Sequence, residues 1–224
     1  PHRSYRPRTE PDQARIEQAI RLIKSARRPI LYTGGGIINA GPEASELLRE
    51  FARLTGAPVT STLMGLGAFP AANPAFLGML GMHGTYEANL AMHGCDVMVN
   101  LGARFDDRVT GRLNAFAPFS KKIHVDIDPA NINKNVVVDI PIIADATLAL
   151  RALIEAWKND ATRQDHAALA DWWTRIEHWR EKDSLKFTQN FSKGAIIKPQ
   201  HAIKRLWELT RDRETYITTE VGQH

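Results

Sequence analysis

The sequence predicts an α/β protein built on a doubly wound parallel sheet, and three observations carry that expectation. Apolar, strand-like runs alternate with helical patterns from about residue 12 to residue 158. The runs are continuously apolar, so both faces of each strand are expected to be buried, as in a parallel sheet covered by helices on both sides. The runs also end in glycine, hydroxyl or carboxylate residues, and in open sheets of this kind ligands bind beyond the carboxyl ends of the strands.

Each element follows from its residues. Asp12 to Ala26 reads as a helix after Pro11, because Ile16, Ala19, Ile20 and Ile23 recur at helical spacing. "PILYTGGG" (29–36) is a short strand stopped by three glycines. "GPEASELLREFARLTG" (41–56) is a helix with Pro42 in its first turn, Ala44, Leu47, Leu48, Phe51 and Leu54 on one face, and Gly56 past its end. "APVTST" (57–62) is the second strand. Met64 to Gly84 is rich in glycine and proline and is expected to be irregular. "TYEANLAMHG" (85–94) is a helix; "DVMVNLG" (96–102), "KKIHVDID" (121–128) and "IPIIAD" (140–145) are strands. "ATLALRALIEAW" (146–157) closes the series as a helix. Residues 1–11 read as a linker and 12–158 as the central α/β domain. Residues 159–198 read as a helical connector whose stripe of Trp172, Trp173, Ile176 and Trp179 is expected to lie on a partner surface. Residues 199–224 read as the start of a second α/β domain, with a helix, a strand at "TYITT" (215–219) and a loop.

The formal charge of +4 is not spread over the chain. Residues 1–28 hold eight Lys/Arg against three acids, leaving the remainder at −1, so a basic solvated linker is favoured over a nucleic-acid surface. The single cysteine, Cys95, excludes an intrachain disulfide. No apolar run approaches the ~20 residues of a membrane span, and no secretory signal is visible. The chain starts without Met, and it is expected to be a piece of something larger.

The strand ends carry the chemistry. Gly34-Gly35-Gly36 either exposes backbone N–H groups to a ligand or makes a tight turn. It is not a phosphate-binding loop of the Lys-Ser/Thr type, because Pro42-Glu43 stands where Lys-Ser/Thr is required. Nor is it a full dinucleotide fingerprint, because Asn39 occupies the third glycine position. Thr62 and Leu63 end the second strand, and Met79, Met82 and His83 lie in a glycine-rich loop suited to the flat face of an aromatic ring. Gly102-Ala103 keeps the next strand end bare before Arg104, which can grip phosphate bidentately; the alternative is a surface ion-pair cluster with Asp106, Asp107 and Arg108. Asp126 and Asp128 can accept from ribose hydroxyls or an adenine amine. Asp145 can do the same or simply cap the helix that follows. No nucleophile motif, metal cluster or acid/base pair is present.

"YTGGGI", "APVTSTLMGLGAFP", "LGMLGMHGTYEAN", "LGARFDDRVTGRL" and "VDIDPANINKN" resemble the central domain of the acetolactate synthase (acetohydroxyacid synthase) catalytic subunit family. These are thiamine-diphosphate enzymes of branched-chain amino-acid (valine and isoleucine) biosynthesis. The resemblance covers about residues 12–158, and "TTEVGQH" resembles the opening of the family's third domain. It implies a transferase that joins two pyruvates, or pyruvate and 2-ketobutyrate, with loss of carbon dioxide, using thiamine diphosphate and magnesium. It also implies FAD bound in this domain without net redox. Residue by residue, it places Gly35, Thr62 and Leu63 on the FAD backbone, and Leu80, Gly81, Met82 and His83 on the flavin side. Gly102, Ala103, Arg104 and Asp106 fall on the diphosphate, and Asp126, Ile127, Asp145 and Ala146 on the adenosine end. Val221, Gly222, Gln223 and His224 match the thiamine-site loop. Asp107 and Arg108, with Met82 and His83, border the substrate channel where sulfonylurea-type inhibitors bind. The thiamine-activating glutamate and the magnesium motif fall in domains absent here, so the chain alone is expected to be inactive, with no metal ligand or catalytic residue of its own. The resemblance further implies a cytoplasmic bacterial homodimer or homotetramer, with or without a regulatory small subunit, and no nucleic-acid or membrane partner. A related flavoenzyme (pyruvate oxidase or glyoxylate carboligase) and a non-catalytic nucleotide-binding module are the alternatives.

Overall fold

The computed structural model describes residues 7, 9–182 and 185–218. The chain divides into two compact units, residues 1–184 and 185–224.

The first unit opens with α1 (Gln13–Ser25), whose Asp12 caps the first turn through its side chain and whose Ile16, Ala19, Ile20 and Ile23 are buried. Then follow β1 (Pro29–Thr33), the short α2 (Gly35–Ala40), α3 (Pro42–Thr55) and β2 (Val59–Ser61). Next come β3 (Phe76–Met79), α4 (Tyr86–Gly94), β4 (Val97–Leu101) and the one-turn α5 (Asp107–Thr110). β5 (Lys121–Asp126), β6 (Ile140–Ile143), α6 (Ala146–Asn159) and α7 (His166–Lys182) complete the unit.

The six strands form one parallel sheet in the order β3-β2-β1-β4-β5-β6. This is a doubly wound sheet: from β1 the chain builds outward to β3, then returns beside β1 and builds the other way. Every residue of β1 and β4 is buried, because helices cover both faces. One core layer gathers α1, α3 and α6 around Leu48, Phe51, Val99 and Leu150. The other gathers α4 and α7 around Ile30, Met98, Trp172 and Ile176.

The structure adds to the reading of the sequence in two places and differs from it in two. β3 lies inside the stretch expected to be irregular; its four residues include Gly78, and its register against β2 shifts between Val59 and Ser61, so no periodicity announces it. Helix α2 starts among the glycines of "TGGGI", where a turn or ligand loop was expected. The tryptophan stripe of α7 lies on the protein's own sheet layer. Trp172 is 1% exposed, its Nε1 donates to Pro29 O at 3.1 Å, and Trp173 Nε1 donates to Gly56 O at 2.8 Å.

In the second unit, α8 (Pro199–Thr210) is preceded by a loop in which the Phe191 ring meets His201 edge-on at 5.2 Å. The strand expected at 215–219 does not form in residues 215–218, which make no ladder bonds; residue 219 lies outside the described residues. The short "TYIT" run has β-propensity but, among the described residues, no strand beside it to pair with, and strands are stabilised by pairing rather than by backbone preference.

Candidate functional site

The sheet reverses its winding between β1 and β4, and there the two strand ends come together backbone on backbone. Gly34 N donates to Leu101 O at 3.1 Å, and Gly36 N donates to Gly102 O at 2.9 Å. A Cβ on Gly34 would sit 2.4 Å from Ala103 Cα, and one on Gly36 would sit 2.7 Å from Gly102 Cα. These two glycines are thus required by the packing of two backbones.

Around this junction opens a cleft of about 650 Å³, lined from five strand ends. Gly35 and Gly36 contribute from β1, Thr62 and Leu63 from β2, and Gly102, Ala103, Arg104 and Asp106 from β4. Asp126, Ile127 and Asp128 come from β5, and Asp145 and Ala146 from β6. The volume lies in the range of small-molecule and cofactor sites.

Its charged groups are held in defined ways. Arg104 pairs with Asp106 at 2.9 Å, with side chains 63% and 44% exposed; such a pair contributes little and exchanges readily for a stronger anion. Asp126 is buried. Burial opposes its charge, but contacts from His124, the Asp128 N–H (2.8 Å) and Asn131 Nδ2 (3.1 Å) outweigh it and hold the carboxyl below its usual range. Asp145 Oδ1 accepts from Thr147 N (2.9 Å) and Leu148 N (3.2 Å), so it caps α6 while lining the cleft.

A model of the "Thiamine pyrophosphate enzyme, central domain" family matches residues 16–153. The chain belongs to this central-domain family of thiamine pyrophosphate enzymes. It is 44% identical over 222 residues to an acetolactate synthase isozyme 3 large subunit of Escherichia coli (strain K12), covering 99% of this chain and 38% of that relative. It is 47% identical over 222 residues to an acetolactate synthase large subunit of Buchnera aphidicola subsp. Schizaphis graminum, covering 99% of this chain and 37% of that relative. An acetolactate synthase of Mycobacterium leprae is 43% identical over 220 residues, 98% of this chain and 34% of its own length. The chain therefore spans well under half the length of the curated relatives it matches.

Within this thiamine pyrophosphate enzyme domain, eleven of the fifteen sequence-expected FAD residues line the one cleft. Leu80, Gly81, Met82 and His83 do not line it; they form an adjoining loop docked on its wall, with Met82 N donating to Arg108 O at 3.0 Å and Asn89 holding Gly81 N at 2.8 Å and Gly81 O at 3.0 Å. Leu80 is buried against α4 and α5, whereas Met82 is 67% exposed. Asp107 opens α5, and Arg108 on the same turn lines the cleft. Val221, Gly222, Gln223 and His224 lie outside the described residues.

The cleft also holds residues that the sequence reading did not single out for the site: Ile38, Asn39, Met64, Asn131 and Ala144. The spacing Asp126-x-Asp128-x-x-Asn131 carries a signal for one of them, since a carboxylate followed by a turn and an amide can close on itself. Cys95 is no nucleophile: it is fully buried at the far end of β4, and burial pushes its thiol up to about 12. Among the described residues no group of three His, Cys, Asp or Glu side chains is placed to hold a metal ion, and no helix is long and apolar enough to cross a membrane.

Proposed function

We propose that this chain is the FAD-binding central part of an acetolactate synthase catalytic subunit, with residues 12–158 as the cofactor domain. The observation that carries the reading is the cleft itself: a dinucleotide-sized opening at the winding switch of the sheet, lined from five strand ends, in a chain 42–47% identical to acetolactate synthases. The residues fit a dinucleotide. The bare backbone at Gly35 and Gly102-Ala103 admits close approach, Arg104 supplies charge for the diphosphate, and Asp126 and Asp145 offer acceptors for the adenosine end. Thr62 and Leu63 line the opposite wall, and Leu80 to His83 supply the flavin side. FAD here would undergo no net oxidation or reduction, so the work of these residues is binding, orientation and exclusion of water.

The complete enzyme in this reading condenses two pyruvates, or pyruvate with 2-ketobutyrate, with loss of carbon dioxide. Thiamine diphosphate and magnesium are held by regions beyond residues 12–158, beginning at Val221 to His224. Met82, His83, Asp107 and Arg108 border the channel to that centre. The assembly is a homodimer or homotetramer in the cytoplasm, with or without a small regulatory subunit.

Product analysis of the complete gene product tests the function. With thiamine diphosphate, magnesium and FAD, pyruvate is expected to give acetolactate. Acetyl phosphate from pyruvate and phosphate, or tartronate semialdehyde from glyoxylate, as the main product would overturn it in favour of a related flavoenzyme.

A further inference from the structure

The loop after β4 is held from below by buried side chains of three neighbouring strands. Ala103 O accepts from Asn100 Nδ2 at 2.7 Å and faces His124 Nε2 at 3.0 Å. Because a carbonyl carries no hydrogen, the proton of this contact sits on His124 Nε2. Asn100 Oδ1 also accepts from Ala103 N at 3.0 Å, so its amide grips both sides of one residue. Arg104 O accepts from Tyr32 Oη at 3.2 Å, and Phe105 O accepts from Asn135 Nδ2 at 2.7 Å. Three successive carbonyls are thus taken by side chains. Tyr32, Asn100 and His124 are each fully buried, and the Phe105 ring is wedged beside Tyr32 and His124, with centroids at 6.0 and 5.2 Å.

The consequence for the cleft follows from peptide geometry. In a trans peptide the C=O and the following N–H point to opposite sides. With the Ala103 and Arg104 carbonyls drawn into the core, the N–H groups of Arg104 and Phe105 are turned away from it. Neither has a hydrogen-bond partner among the described residues. Removing one of these donors leaves a loop carbonyl unsatisfied and lowers stability, but the donors supply something further. What they supply is a fixed backbone orientation.

We propose that Asn100, His124 and Tyr32 are positioning residues that set the backbone of residues 103–105 to present its N–H groups and Arg104 to the diphosphate of the bound dinucleotide. The inference rests on the FAD reading of the cleft. None of the three side chains lines the cleft; Asn100 and Tyr32 act through the loop, and His124 acts through the loop and through Asp126, whose Oδ2 lies 3.6 Å from its Nε2.

The test is FAD titration of the complete apo gene product, followed by quenching of flavin fluorescence, beside thermal unfolding of the same apo proteins. His124→Phe keeps a ring against Phe105 but removes the donor, and is expected to raise the FAD Kd roughly tenfold. His124→Gln, whose Nε2 reaches the same place, is expected to restore most of the affinity. Tyr32→Phe, the loss of one oxygen, is expected to raise Kd roughly threefold and serves if the histidine variants do not fold. Amide exchange in residues 104–105 should quicken in both apo variants. Unchanged Kd in His124→Phe and Tyr32→Phe, with only a lower unfolding temperature, would overturn the proposal and leave these residues a structural role. Wild-type protein that fails to bind FAD would overturn the cofactor reading itself, and this inference with it.

Discussion

Replacing Arg104 by alanine is expected to weaken FAD binding by about 1–2.5 kcal/mol, and the structure supplies both sides of that figure. A charge-assisted hydrogen bond to phosphate contributes about 1.5–3 kcal/mol. Before it can form, Arg104 must leave Asp106, with which it pairs at 2.9 Å. Both side chains are well exposed, so surrendering that pair costs only about 0.5 kcal/mol. The net effect is a rise in Kd of roughly 5- to 70-fold. Arg104→Lys sharpens the experiment, because it keeps the charge but loses the paired N–H donors, and is expected to recover part of the lost affinity. Titration of FAD into the complete apo-protein, with recovered activity and flavin fluorescence as readouts, measures both variants. Wild-type affinity in Arg104→Ala would refute the reasoning and reduce Arg104 to a surface ion pair.

Three further outcomes follow from the packing. Gly34→Ala needs no unusual backbone, since Gly34 has φ −132°, but its methyl group would meet Ala103 Cα and Gly102 O at 2.4 Å. The backbone must shift, and the urea midpoint is expected to fall by the equivalent of about 2–3 kcal/mol. Trp172→Ala, at a side chain 1% exposed and bonded to Pro29 O, is expected to cost about 3–5 kcal/mol in the same assay, whereas a solvated α7 would lose almost nothing. Asp126 has a folded pKa below its ordinary 3.8; its stabilising effect is therefore present above pH 3.8 and lost as pH falls through the folded value. Asp126→Asn is expected to flatten the acid limb of stability against pH below about 4, and an unchanged limb would show that other carboxylates govern it.

Much of the sheet is legible in the sequence because parallel strands must be apolar on both faces. "PILYT", "VMVNL" and "KKIHVD" announce themselves, and the helical stripes of α1 and α3 are those seen buried. Phe76–Met79 is not legible: it is four residues long, contains a glycine, and is a strand only because β2 lies beside it. The tryptophans of α7 misled in another way. Their stripe correctly marks a buried face, but a stripe does not say what buries it, and here it is the protein's own sheet. In the cleft, chain direction puts the strand ends on one edge of a parallel sheet and singles out Gly102-Ala103, Arg104, Asp126 and Asp145, whereas Leu63, Asp106, Ile127 and Ala146 come only from the family resemblance. Asn39, Met64 and Asn131 are singled out by neither, since they reach the cleft through the paths of loops and of α2. Gly34 and Gly36 show the limit most clearly. Glycines at a strand end read as ligand access, yet these two serve the close approach of β1 and β4, and only Gly36 of the pair also lines the cleft.

The central claim is that the cleft at the winding switch of the sheet holds FAD, and a crystal structure of the complete gene product grown with FAD tests it most directly. The account expects the diphosphate against Gly102-Ala103 and Arg104, the adenosine beside Asp126 and Asp145, and the flavin toward Leu80 to His83. A dinucleotide bound anywhere else, or a protein saturated with FAD whose cleft is filled by its own chain, would contradict it.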